Sequence, residues 1–273
     1  MGNGEWESGF LELRSLSCCR VAVEIQESDL GGKLFLSLVS AELPKRSPIP
    51  HSPFPIPQSR LPPMYTLYYS PGAASMAVHL ALIELGVAHE LRLIDFNAKA
   101  QKDPEYLRLN PNGVVPTLIV DGAPYYECAA LLLLLGERHA EAGLAPMPGA
   151  PGRGLYLQWV VHLANTLQPA FRQWFYPTDF GPADQNEAMR DFARLRIEAV
   201  WNQLDTHLAG HGPYLLGESF SLVDLYATML MRWSRNMPKP ADRWPALAAL
   251  AQRVKARPSW QRMYAVEGLT EWA

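Results

Sequence analysis

Eight of the chain's 24 prolines fall between Pro44 and Pro63, in ELPKRSPIPHSPFPIPQSRLPP. Proline fixes φ and has no N–H to donate, so a run this dense disfavours helix and central strand. It favours an extended, polyproline-like linker. The run divides the 273 residues unequally. Residues 1–43 before it hold one apolar patch, Lys33 to Val39, and nothing that repeats. The opening MGNGEWESGF has no basic n-region and Cys18 to Val23 is too short for an h-region, so no secretory signal is read there. It is also too acidic for a typical transit peptide. Residues 1–63 are therefore expected to be a Pro-rich extension, either disordered or upstream of a true start at Met64. The second alternative expects protein from the native host to begin at Met64, which N-terminal mass spectrometry would show.

Hydrophobic residues make up 48% and charged residues 19%, as in a folded chain rather than one disordered throughout. A formal charge of −3, with lysines and arginines dispersed, gives no bulk attraction to nucleic acid or an anionic membrane. The longest apolar run, Ala129 to Gly136, stops far short of the roughly 18 residues a membrane span needs. Three cysteines are too few for a disulfide framework, so a reducing, cytoplasmic location is expected. Only His207 and His211 have a spacing that zinc ligands use, with no cysteine near them. They read as a surface pair, His211 beyond a helix end, and no metal is expected.

After Pro63 the texture changes. Met64 to Tyr69 is rich in strand formers and is closed by Ser70-Pro71-Gly72. Met76, Leu80, Ile83 and Leu85 recur at helical spacing, with Gly86 as the stop. His89 to Asp95 reads as a second strand, Asp103-Pro104-Glu105 as a short helical turn, and Val114 to Val120 as a third strand. Asp121-Gly122 is a hairpin signal leading to a fourth strand, and Glu127 to His139 reads as a buried helix. The order β-α-β, short α, β-β-α is a thioredoxin-like arrangement. Beyond about residue 150 everything reads as helix: a central one over 154–174, an amphipathic one over 186–208, and one whose start at Ser221 is marked by a capping box with Asp224.

From Met64 to about residue 265 the chain resembles the glutathione transferases, and most closely their bacterial beta-like branch. Four separated segments carry the resemblance: YYSPGAAS at 68–75, NPNGVVPTL at 110–118, the Glu127-Cys128 pair opening a helix, and FSLVDLY at 220–226. It implies an α/β plus all-α fold. A thioredoxin-like glutathione-binding domain over 64–143 would be followed by an all-helical substrate and dimerisation domain over 150–273. It also implies a detoxifying transferase, usually a homodimer, with glutathione as co-substrate and a small hydrophobic electrophile as partner.

For the residues themselves, Val115-Pro116 would be cis by this resemblance, turning the Val115 main chain outward to pair with glutathione as a short antiparallel strand. Glu127 in a first helical turn is favourable for a helix start alone. The resemblance adds that Glu127 would hold the γ-glutamyl ammonium and the free N–H groups its carboxylate. Cys128 replaces the family's serine and reads either as a small buried apolar residue or as a weak donor; a helix N-terminus also makes it a candidate redox thiol. Lys99 matches a glutathione-binding lysine, or is a solvated loop charge.

Catalysis needs a thiolate, and a thiol of pKa about 8.5 is mostly protonated at pH 7. The branch's cysteine falls on Ala74 and its histidine on Gln168, so both are missing. Ser75 and Tyr69 remain as hydroxyl donors, each with a plain structural alternative, and the sequence does not choose between them. Trp159, His162, Asn165, Phe171, Trp174 and Tyr176 populate the central helix where a second substrate would sit. A catalytically weak binding or regulatory protein is the alternative to a transferase, with a glutathione-dependent isomerase or reductase behind it.

Overall fold

A computed structural model describes residues 65–273 together with two strands nearer the N-terminus. Those strands, β1 (Val21–Glu27) and β2 (Leu34–Ala41), pair antiparallel with a bulge between Ala22 and Val23. They belong to one compact unit, Met1–Gln58, and the elements that follow belong to a second, Ser59–Ala273. The proline run, and with it the expectation of disorder over residues 1–63, falls outside the described residues apart from these two strands.

The second unit begins with β3 (Tyr65–Tyr69), α1 (Ser75–Glu84) and β4 (His89–Leu93), with β3 and β4 parallel as a βαβ unit requires. A short α2 (Pro104–Leu109), capped by the Asp103 side chain on the Glu105 N–H, leads to β5 (Thr117–Val120) and β6 (Ala123–Tyr126). Asp121 and Gly122 both take positive φ, 51° and 83°, which closes the β5–β6 hairpin. The sheet order is β4-β3-β5-β6, with β5 antiparallel to both neighbours. The α3 helix (Cys128–Arg138) completes this thioredoxin-like half. Alternation along β3 divides its side chains as period two demands. Tyr65, Leu67 and Tyr69 join the main core, while Tyr68 packs with Ile94, Tyr106 and Val115 on the other face.

The rest is helical: α4 (Arg153–His162), α5 (Gln168–Phe175), α6 (Asn186–His211), α7 (Leu222–Trp233), α8 (Pro245–Lys255) and α9 (Pro258–Glu267). The single central helix expected over 154–174 is divided. Leu163–Leu167 forms a π-helical turn between α4 and α5. Pro169 explains it, because its ring lacks an N–H and would clash with the carbonyl four residues earlier in a regular α-helix. The α6 helix runs through Gly210 to His211, three residues past its expected end, so His211 lies inside the last turn and not beyond it. No described helix is long and apolar enough to cross a membrane.

Helix α7 is buried along nearly its whole length, and its start is the capping box read from the sequence. The Asp224 carboxylate accepts from the Ser221 N–H at 2.8 Å, the Ser221 hydroxyl at 3.0 Å and the Leu215 N–H at 2.8 Å. Burial pushes the Asp224 carboxyl up to about 6, against the pull of those donors. Asp224→Ala orphans all three donors and should cost about 3 kcal/mol, lowering the thermal midpoint by roughly 5–10 °C. Because the folded carboxyl binds its proton more tightly than the unfolded one, its stabilising contribution is full below about pH 4. It declines as pH rises through 6. Melting curves of Asp224→Asn should therefore gain on the unsubstituted protein between pH 4 and 7.

Candidate functional site

Two helix starts meet beside the sheet. Strand β3 passes through Ser70-Pro71-Gly72 into α1, and β6 passes through Glu127 into α3. The Cys128 thiol donates to the Ala74 carbonyl at 3.5 Å, which joins the two starts directly. First-turn N–H groups have no partner within their own helix, so this junction presents two positive helix ends together. Glu127 holds φ 74° and ψ 110°, a conformation costly for a side chain with a Cβ and most often kept at ligand sites.

A small cleft opens beside the start of α3, walled by Asn110, Val114, Val115, Pro116, Tyr126, Glu127, Cys128 and Gln168. The NPNG segment builds its floor. Asn110 is fully buried; its amide donates to the Val114 carbonyl at 2.8 Å and to Thr117 Oγ1 at 3.1 Å, and its Oδ1 accepts from the Asn112 N–H at 3.1 Å. The Tyr106 hydroxyl donates to the same Val114 carbonyl at 2.6 Å. Gly113 sits at φ +59°, and a Cβ there would stand 2.8 Å from the Gln101 carbonyl oxygen, so only glycine fits. These contacts fix Val114 and set the next residue, Val115, on the wall, with Val115–Pro116 in the cis form expected from the resemblance.

From the helical half, Gln168 closes the cleft. Its Oε1 accepts from the buried Tyr226 hydroxyl, whose burial pushes its pKa up and keeps it a donor. The wall thus gathers Val115, Pro116, Glu127 and Cys128 and adds Gln168, the position where the branch's histidine is missing.

Ser75, Tyr69 and Lys99 stand elsewhere. Ser75 is fully buried, and its hydroxyl accepts from the Ser70 N–H and donates to the Ser70 carbonyl, both at 3.2 Å, which closes the turn before α1. Tyr69 packs 6.2 Å from the His79 ring; burial and the Glu267 charge both raise its pKa, so it stays a protonated donor. Lys99 is exposed in left-handed geometry at φ 57°, while Lys102 brings its Nζ to within 3.0 Å of where a Gly113 Cβ would lie. Cys128 is buried, and desolvation followed by the Glu127 charge pushes its thiol well up. The helix start does not activate it, so the redox reading fails on electrostatics.

Sequence reasoning missed the grip that the C-terminal helices take on the loop before α1. The Gly72 N–H donates to Glu267 Oε2 at 2.9 Å, and the Gly72 carbonyl accepts from the Trp233 indole at 2.9 Å. Partners 195 and 161 residues apart leave no local signature to read. Trp233 also meets Phe171 and Phe175 edge-on, at 5.7 and 6.3 Å, and Phe175 and Tyr176 are exposed beside it. Of the residues expected along the central helix, Trp159 and His162 lie elsewhere; Trp159 is buried, 4.8 Å from the His207 ring.

A thioredoxin-like half joined to a helical half, with a cleft at a cis proline and a helix start, defines the class to which the transferases of glutathione belong. Family models named "Glutathione S-transferase, N-terminal domain" and "Glutathione S-transferase, C-terminal domain" match residues 73–138 and 166–262. Glutathione S-transferase GST-4.5 of Xanthomonas campestris pv. campestris is 31% identical over 204 residues, 74% of this chain and 98% of that protein. A glutathione transferase homolog from Sulfitobacter, solved with bound glutathione, is 27% identical with a TM-score of 0.70, over 76% of this chain and 99% of that one. A sphingomonad glutathione S-transferase complexed with glutathione is 31% identical with a TM-score of 0.65, over 75% and 100%. The chain belongs to the glutathione S-transferase family.

The burial of Cys128 predicts slow chemistry. In folded protein near pH 7.5, iodoacetamide should leave Cys128 unmodified, and denaturant should expose it to rapid alkylation, both read by peptide mass spectrometry. Rapid labelling of the folded chain at this residue would contradict the desolvated thiol.

Proposed function

We propose that the protein binds glutathione in this cleft and conjugates its thiolate to a small hydrophobic electrophile. The observation that carries the reading is the gathering of Val115, Pro116, Glu127 and Cys128 on one wall at the meeting of two helix starts. In this reading the peptide lies extended against the Val115 main chain, its γ-glutamyl carboxylate on the first N–H groups of α3 and its ammonium on Glu127. Lys99 and Lys102, in the segment after β4, are candidates for the glycyl carboxylate, with Lys102 Nζ close to Gly113 of the NPNG segment.

The thiol then points toward α1. Its first-turn N–H groups stabilise the sulfur's negative charge, with Tyr69 supplying the hydroxyl while Ser75 is spent on Ser70. The thiol proton passes to solvent. The thiolate lone pair forms a C–S bond, and the leaving group departs with the electrons of the bond that breaks. Phe175, Tyr176 and Trp233 offer the apolar wall for the electrophile. Exposed Tyr125, Val161, Phe192 and Leu195 supply apolar surface for a homodimer, working in the cytoplasm.

Retention on immobilised glutathione and conjugation of a generic aryl halide test the reading; failure of both overturns it. Glu127→Ala should weaken glutathione binding about tenfold or more by calorimetry, because it removes the charge on the ammonium. Tyr69→Phe should lower kcat by about 10–100-fold, whereas Ser75→Ala should lower the melting midpoint with kcat nearly unchanged. Alanine at position 74 and glutamine at 168 favour a second reading, a binding or regulatory protein. Glutathione binding without conjugation would select it.

A further inference from the structure

We infer that Trp233 and Glu267 are positioning residues that act as two jaws on Gly72 and so fix the loop from which α1 receives the thiol. The inference rests on the glutathione reading above. Gly72 is the one loop residue held at both of its backbone groups by side chains of the helical half: its N–H by Glu267 Oε2 and its carbonyl by Trp233 Nε1, each at 2.9 Å. Its φ of +69° suits glycine, and a Cβ would stand 2.9 Å from an Arg232 guanidinium nitrogen, so the loop is also packed from the side.

Both jaws are themselves held. The Glu267 side chain is fully buried, with its second oxygen 2.8 Å from His79 Nδ1 on α1. Trp233 is set edge-on against Phe171 and Phe175. Inside the loop, the Ser70–Ser75 pair and the Ala73 N–H to Ser70 carbonyl bond at 3.1 Å make 70–75 a closed turn. A closed turn moves as one piece, so a grip on Gly72 sets where the first N–H groups of α1 point. A misplacement of about 1 Å at a reacting centre can cost on the order of 100-fold in rate.

Trp233 has a double duty in this arrangement. Its ring forms part of the apolar wall offered to the electrophile, and its indole N–H holds the thiol loop. One rigid side chain thereby sets the distance between the two reacting partners.

Trp233→Phe separates the duties, since it keeps an aromatic face and removes the N–H. The expected result is a fall in kcat of about tenfold with KM for the aryl halide changed less than about twofold. The pKa of bound glutathione, read by thiolate absorbance, should rise by about one unit. Amide exchange of the peptide spanning 71–76 should quicken about tenfold, with α5 and α7 unchanged. Glu267→Gln, which weakens the other jaw at nearly the same shape, should quicken the same exchange and covers the case in which Trp233→Phe does not fold. Unsubstituted values of kcat, thiol pKa and exchange in both variants overturn the inference, as does a change in KM alone, which would make Trp233 only a wall. A starting protein that neither binds nor conjugates glutathione overturns the parent reading instead, and the exchange measurement still decides whether the jaws hold the loop.

Discussion

A carboxylate with no exposed surface has to find its hydrogen-bond partners inside the protein, and Glu267 finds them in His79 of the first helix and the Gly72 N–H of the loop ahead of it. Removing one partner from such a buried carboxylate costs roughly 1–3 kcal/mol, because the oxygen left behind stays out of water. The consequence is topological. The last helix is bonded to α1 through His79 and to the strand-to-helix loop through Gly72, and with the Trp233 bond to the same glycine these contacts join the two halves of the unit at the loop before α1. The same carboxylate adds to burial in raising the Tyr69 pKa and keeps that hydroxyl protonated.

Around this fixed point the site is made mostly of backbone. Asn110, Tyr106 and Gly113 spend their side chains, or lack of one, on setting the main chain of Val114 and Val115. The starts of α1 and α3 meet through Cys128 and Ala74, which brings the positive ends of the two helices together. Such a site tolerates the loss of particular catalytic side chains better than one built on them, which suits a chain with alanine at 74 and glutamine at 168. Cys128 fits the same logic. It is buried, its thiol is pushed up, and its part is to bridge two helix starts.

Much of the fold was legible because its signals are local. The Asp121-Gly122 turn, the Ser221–Asp224 box and the alternation in β3 each follow from neighbours in sequence, and each stands where the pattern puts it. The π-helical turn was not read, although Pro169 was its cause in plain view: a proline inside an apolar helix predicts a break but not its form. The residues proposed to hold the peptide were named through the resemblance, and four of them, Val115, Pro116, Glu127 and Cys128, line one cleft. The candidates for thiol chemistry were not resolved, because what separates Ser75 from Tyr69 is the Ser70 bond of one and the Glu267 neighbour of the other. The second of these is a long-range fact. The approach of Lys102 to Gly113 was not read either, since it follows a turn that begins with the left-handed geometry at Lys99.

The central claim is that glutathione lies along the Val115 edge with its γ-glutamyl end at the start of α3 and its sulfur at the start of α1. A crystal structure of the complex tests it most directly. The account predicts paired hydrogen bonds between the cysteinyl backbone and Val115, the γ-glutamyl carboxylate on the Cys128 N–H, and the sulfur nearer the Tyr69 hydroxyl than that of Ser75. Glutathione bound away from Val115 and Glu127, or with its sulfur turned from α1, would contradict it.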